Sequence, residues 1–296
     1  MTTTNSKNAG TGKLYFVSGT FSGAGAVKVM DADGSNEITL CEGKEVIEPD
    51  GIEVDRVGGK MYWTDMGLGG AADKSVAVND GRIMRADLDG QNIETIVPLG
   101  MTTTPKQLAL DVAGGKVYWS DRGDVGDKNV NPKIMRSNLD GSSLETIVSS
   151  ELMSPVGIAL DTANGKVFFT DRYANDIKRA NLDGSDVEVV VQNTEYPVDL
   201  ALDLENRVMY WTAREAGGLY SAGMDENETD GAGLTPIITG LHAAIGVTLD
   251  RENGKLFYTD VITASKSGGI WVAELDGSHA KQIATTSMPL GLYFAP

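Results

Sequence analysis

The phrase MYWTD at 61–65 returns as VYWSD at 117–121, VFFTD at 167–171, MYWTA at 209–213 and LFYTD at 256–260. Recurrence of this kind constrains the fold more than any other property of the chain, because a fixed period means one supersecondary unit laid repeatedly against its neighbours. Each copy follows an alternating apolar run that ends in Asp: GIEVD at 51–55, QLALD at 107–111, GIALD at 157–161, DLALD at 199–203 and GVTLD at 246–250. Alternation at that period is the mark of a half-buried strand. The connections VGGK, VAGGK, TANGK, LENR and RENGK carry Gly or Asn for the positive φ angles of a tight hairpin.

After a loop of variable length, a third strand runs into an Asp-Gly turn in RIMRADLDG at 82–90, KIMRSNLDG at 133–141, DIKRANLDG at 176–184 and GIWVAELDG at 269–277. A fourth strand then leaves as NIETIV, SLETIV, DVEVVV or AKQIA. Four antiparallel strands per unit make a propeller blade. The anchors Asp55, Asp111, Asp161, Asp203 and Asp250 lie 56, 50, 42 and 47 residues apart, the length of a blade with its loops. A sixth blade is divided between the ends: PLGLYF at 289–294 matches the first strand, KLYFVSG at 13–19 the second, and VKVMDADGSNEITL at 27–40 the remaining hairpin. Sharing one blade between the terminal strands closes the ring and protects its sheet edges. The expected fold is all-β: a six-bladed β-propeller of four-stranded antiparallel blades, one domain over 1–296 with a flexible polar segment at 1–12.

Composition narrows the partners. The 36 glycines and an aromatic content of 6% suit many tight turns rather than long helices. A formal charge of −17 argues against nucleic acid and anionic membranes, which are bound through a basic surface. Cys41 is the single cysteine, so no intramolecular disulfide forms and an inert thiol is expected. The amino-terminal MTTTNSKNAGTGK has neither an apolar segment nor a cleavage signature, and no apolar run is long enough to span a bilayer, so a cytoplasmic chain is expected. Asn227-Glu228-Thr229 matches a glycosylation sequon, which in that setting is accidental. No nucleotide-binding glycine fingerprint, nucleophile elbow or paired Cys/His spacing for zinc occurs; neither cofactor nor metal is expected.

With these motifs the chain resembles the six-bladed YWTD propellers of the low-density lipoprotein receptor class, over nearly its whole length. The resemblance implies that the recurring residues are scaffold, with aromatic rings between blades and Thr and Asp tying strands together. Function then falls to positions that differ among copies. Receptor propellers are extracellular and flanked by cysteine-rich modules, whereas one thiol here implies a free-standing propeller.

In a propeller the first strand lines the central channel. The loop leading into it and the loop leaving the YWTD strand therefore share one face, and that funnel is the natural concavity for a ligand. Arg122, Arg172 and Arg214 follow the motif in three consecutive blades, an expected cationic rim suited to a carboxylate, phosphate, enolate or tropolonate oxygen pair. Pairing of each arginine with a neighbouring acid is the competing reading. Arg214 follows Ala213 where its sisters follow Asp, and is expected to be the freest of the three. The lead-in loops add Asp50, Lys106, Tyr196 and His242, and Tyr173 stands beside Arg172. His242, in GLHAAIG, is the histidine placed for acid–base chemistry near neutral pH. MGLGGAADKSVAVNDG at 66–81 and RGDVGDKNVNP at 122–132 suit mobile lids.

In size and plan the chain is similar to free-standing fungal hetero-Diels–Alderases, which join a tropolone quinone methide to a humulene-type terpene. That resemblance implies a cofactor-independent enzyme of secondary metabolism with polyketide and terpenoid substrates. His242, Arg122, Arg172 and Arg214 would act at the tropolone oxygens, with Tyr173, Tyr196, Asp50 and Lys106 around the substrate. Rate would come from proximity and orientation. Two other readings stay open: a metal-dependent lactonase using Glu48, Asp50 and Asp199, and a non-catalytic protein-binding propeller with aromatic anchors on its rim.

Overall fold

The alternating runs pair as their pattern dictates. The computed structural model describes residues 12–20, 24–67, 79–124, 130–225 and 229–296. Its inner strands are Pro49–Asp55, Pro105–Asp111, Pro155–Asp161, Pro197–Asp203, Ala244–Asp250 and Pro289–Ala295. Each pairs antiparallel with its motif strand: Lys60–Asp65, Lys116–Asp121, Lys166–Asp171, Val208–Ala213, Lys255–Ile262 or Lys13–Ser18. Neighbouring inner strands touch around a ring, and Pro289–Ala295 pairs with Lys13–Ser18, so both ends of the chain share the closing blade. The result is a six-bladed propeller. Of the polar segment 1–12, residues 1–11 lie outside the described residues.

Two blades depart from the expected four strands. The blade that begins at Pro197 has three, with only a bridge between Leu219 and Ile238 at its outer edge. Thr229–Asp230 instead pairs in parallel with Glu188–Gln192, giving the preceding blade a fifth strand. The cause is local. No Asp-Gly pair stands directly at the end of the third strand Gly218–Gly223 as it does in its sisters; Thr229–Asp230 lies on the neighbouring blade before the chain returns to Leu219 through Ile237 and Ile238.

The recurring residues hold the ring together. In the blade from Pro155, Thr170 Oγ1 accepts from Gly157 N–H at 2.7 Å and donates to the Val198 carbonyl of the next inner strand at 2.8 Å. Thr212 and Thr259 repeat both contacts one and two blades on. Tyr62 is buried against Leu108, Val117 and Trp119 of the following blade, and Tyr118 against Ile158, Val167 and Phe169 of the one after. Each motif aromatic therefore forms part of the interface between two blades. The Asp-Gly turns, expected to be hairpins and nothing else, also meet the preceding blade: a Cβ on Gly141, whose φ is +84°, would overlap the Ile96 carbonyl. Gly141→Ala is expected to destabilise the protein by about 3 kcal/mol, read as a lowered midpoint in denaturant.

Cys41 is buried with its thiol near the Gly90 carbonyl, and burial pushes it up to about 11, which leaves little thiolate to react. No helix among the described residues is long and apolar enough to cross a membrane.

Candidate functional site

The motif Asp sets the shape of the upper face, where the lead-in loops and the ends of the motif strands meet. Asp121 accepts from the N–H groups of Thr103 and Thr104 at 2.7 and 2.9 Å, and Asp260 does the same for His242 and Ala243 at 2.8 and 2.9 Å. Asp65 and Asp171 hold their own lead-in loops in this way. Ala213 cannot. In its blade the lead-in loop takes positive φ at Glu195 and Tyr196, 51° and 71°, and Tyr196 N–H donates instead to Asn175 Oδ1 at 2.8 Å. Loss of one carboxylate has therefore given Tyr196 a different support. Sequence reasoning missed Asn175, although an Asn beside the one repeat without its Asp is the signal that points to it.

The same geometry settles how the arginines stand. Their backbone N–H groups bond equivalent carbonyls, Thr104, Ser154 and Tyr196, at 3.1, 2.9 and 3.1 Å, so Arg122, Arg172 and Arg214 occupy matching places in consecutive blades. Because Asp121 and Asp171 turn back to their lead-in loops, and Asp171 also pairs with Lys178, neither pairs with the arginine beside it. Among the described residues no carboxylate forms an ion pair with any of the three. The absence of an adjacent acidic partner is thus shared by all three arginines and does not single out Arg214.

Arg172 lies deepest, 6% exposed, with its guanidinium 4.8 Å from the Tyr173 ring centroid and 4.7 Å from that of Tyr196. The two rings meet edge to face at 5.7 Å. Cation–π attraction supports the guanidinium, and the Tyr173 hydroxyl is close enough to it for a hydrogen bond that helps to lower that phenol. The Nε atoms of Arg172 and Arg122 are both buried without a partner. Burial, with the Arg172 charge adding to it, pulls Arg122 down to about 10. Lys106 is buried alongside, donating to Asp50 Oδ1 at 2.6 Å, with Met66 Sδ at 3.0 Å. Burial lowers Lys106 to about 8; Asp50 opposes that fall, while Arg122 and Arg172 add to it. Among the described residues Asp50 pairs with Lys106 alone, and its charge also acts on Arg122.

The tyrosines are pushed apart. Burial raises both, but at Tyr173 the Arg172 charge, the contact with Tyr196 and the Arg122 charge outweigh it and the phenol becomes more acidic. Tyr196 moves up, since burial and Tyr173 exceed the pull of Arg172. A pair split in this way has one member better suited to give a proton.

Of the other expected residues, Arg214 is half-buried and near enough to Tyr196 to influence it. His242 is at the mouth, its side chain 62% exposed, but its Nδ1 sits 3.0 Å from Asp260 Oδ2 and no hydrogen bond joins it to the arginines among the described residues. Glu48, Asp50 and Asp199 do not converge as one ligand set: Asp50 pairs with Lys106, and Asp199 accepts from Leu200 and Val247 N–H at 2.9 and 3.1 Å. Most of the two expected lids, residues 68–78 and 125–129, lies outside the described residues. Asn175→Ala is expected to reduce stability by only about 1 kcal/mol while weakening any ligand that rests on Tyr196, as titration calorimetry would read.

Residues 115–162 match the family model of the low-density lipoprotein receptor repeat class B. The chain is 41% identical over 120 residues to low-density lipoprotein receptor-related protein 1 of Pyricularia oryzae, covering 40% of this chain and 34% of that protein. It is 32% identical over 121 residues to a 3-hydroxyacyl-CoA dehydrogenase-like protein of Cochliobolus heterostrophus, covering 41% and 22%. These matches span about a third or less of the relatives' own lengths. A chain in the crystal structure of a nidogen/laminin complex superposes with a TM-score of 0.74 at 19% identity, covering 96% of this chain and 98% of that one. The periplasmic gluconolactonase of Pseudomonas aeruginosa does so with 0.63 at 12%, covering 96% and 99%. At such identities the likeness is one of fold.

Proposed function

We propose that this chain, a six-bladed propeller of class B (YWTD) repeats, is an enzyme whose upper mouth holds a flat ring bearing adjacent oxygens, an enolate or tropolonate, and orients it for a cofactor-independent hetero-Diels–Alder addition. One observation carries the reading. Arg122 and Arg172 are close enough for one charge to act on the other, their buried Nε atoms lack a partner, and among the described residues neither forms an ion pair with a carboxylate, Asp50 being engaged by Lys106. Two like charges in that state favour an anionic oxygen acceptor, and guanidinium donors match a pair of adjacent oxygens. Tyr173 and Tyr196 offer aromatic faces beside it.

The chemistry follows from those positions. In a hydroxymethyl-substituted tropolone, the ring O–H gives up its proton, the exocyclic C–O bond breaks, and the leaving hydroxide takes a proton from Tyr173 to depart as water. The phenolate of Tyr173 recovers the ring proton. The neutral quinone methide then adds across an alkene, forming one C–O and one C–C bond with no atom lost. Arg122 and Arg172 stabilise charge on the ring oxygens as it develops, and holding diene and alkene together supplies the rest of the acceleration.

A second reading has its own support. Tyr173 and Met153 are 45% and 54% exposed on the upper rim, as anchors for a protein partner would be. Incubating purified protein with a hydroxymethyl tropolone and humulene separates the two. Cycloadduct formed at least tenfold faster than in buffer is expected; a rate equal to that of buffer would remove the enzymatic reading and leave the protein-binding one.

A further inference from the structure

The central channel contains a second chamber, distinct from the mouth. A cavity of about 450 Å³ is lined by the inner strands, among them Glu53, Ala109, Ala159, Ala201 and Tyr293, and ends upward at Gln107 and Asp199. Neither Asp50, Lys106, Arg122 nor Arg172 borders it. Above it the inner strands converge through glycine: a Cβ on Gly51 would come 2.8 Å from Gln107 Cα, and one on Gly157 2.8 Å from Asp199 Cα. Gly246 and Gly291 meet the Leu290 and Asp50 carbonyls in the same way. Arg251 stands at the lower end of the chamber, and the ceiling residue Gln107 donates to Asp50 at 3.3 Å, so the chamber and the arginine mouth are neighbours that share no lining residue.

The walls are unlike one another. Ala109, Ala159 and Ala201 give three successive blades a smooth methyl surface, while Glu53 and Tyr293 make the opposite wall polar and Asp199 forms part of the ceiling. Asp199 is 6% exposed and held by two backbone N–H groups, and no lysine or arginine forms an ion pair with it or with Glu53 among the described residues. We propose that the lower chamber binds a small organic ammonium ion, its charged head between Glu53 and Asp199 and its apolar body against the alanine wall. A volume in the range of small-molecule sites, apolar walls and a few convergent polar groups are the ordinary features of such a site.

The ionisation of the chamber agrees with this. Burial, and then the charge of Asp199, pushes Glu53 up to about 8, with Arg251 opposing; burial pushes Asp199 up to about 7, its backbone hydrogen bonds opposing and Asp50 adding. Tyr293 from the neighbouring strand is raised as well, by burial and by Glu53, and Arg56 and Asp55 act on it from below. Without a ligand the fold keeps protons that the unfolded chain releases near pH 4, so it binds more protons than the unfolded chain between about pH 4 and 8, and stability falls as pH rises through that window. An ammonium ion restores what is lost, and its binding strengthens in the same direction.

Titration calorimetry of the full chain with benzylamine, which stays cationic throughout, tests this at pH 6 and pH 8.5. Binding of one equivalent, tightening about tenfold or more between the two, is expected. Glu53→Gln should weaken binding at pH 8.5 about tenfold and flatten the fall of Tm with pH, whereas Arg172→Met should leave benzylamine binding unchanged. The Glu53→Gln thermal profile also verifies that the variant folds. Equal binding of benzyl alcohol, absence of binding, pH-independent binding, or stoichiometric calcium that displaces benzylamine would each overturn the proposal.

Discussion

Replacing Arg172 by Met is expected to weaken binding of tropolone by about 30–100-fold, roughly 2–3 kcal/mol, while Tm stays the same or rises. The two halves of this expectation have one cause. Arg172 is a buried charge that feels a second guanidinium, with aromatic faces beside it and no ion pair to a carboxylate among the described residues. Removing an uncompensated buried charge in favour of an apolar side chain of similar length is neutral or stabilising for the fold. Removing the donor that a bound oxyanion meets is not neutral for binding. A residue kept only for the scaffold would behave in the opposite way, with Tm falling and ligand affinity unmoved.

Asp121→Ala should do what Arg172→Met does not. Asp121 is fully buried and accepts from Thr102 Oγ1, Thr103 N–H, Thr104 N–H and Gly123 N–H, the first two at 2.7 Å. Alanine leaves three backbone donors and a hydroxyl without an acceptor in a dry interior, a loss of about 4 kcal/mol or more. Thr102 Oγ1 also accepts from Trp119 Nε1 at 3.1 Å, so the change reaches into the interface between blades. Urea unfolding should show a lower midpoint at similar slope. Asp121→Asn, which keeps one acceptor oxygen, should fall between wild type and alanine. A midpoint unchanged in both variants would mean that the motif carboxylate is not what fixes the lead-in loop.

The contrast between these two residues explains what could be read in advance. The fold was legible because the residues that build it recur: Thr170, Thr212 and Thr259 make the same two hydrogen bonds in successive blades, and one copy interprets the rest. The arginine rim was legible as a departure shared by three blades. Its unpaired state was not, since it is the folded ring that turns Asp121 and Asp171 back toward their lead-in loops. Ala213 could be seen as a gap, but the consequence lay elsewhere, in Asn175 and the left-handed turn at Tyr196. The lower chamber was legible only in part: the inner strands were expected to line the channel and Asp199 was one of the candidate residues, but its partner Glu53 was not. Glu53 sits in GIEVD and Asp199 in DLALD, one in the middle and one at the start of their strand runs, and the repeat alone does not set the heights at which the two carboxylates meet the channel.

The most direct measurement is titration calorimetry of tropolone at pH 8 against the wild-type chain, Arg122→Met, Arg172→Met and Glu53→Gln. One-to-one binding in the wild type and in Glu53→Gln, lost or reduced by more than about tenfold in both arginine variants, is the predicted result. No heat of binding in the wild type, or equal affinity in all four proteins, would contradict an oxyanion site at the upper mouth.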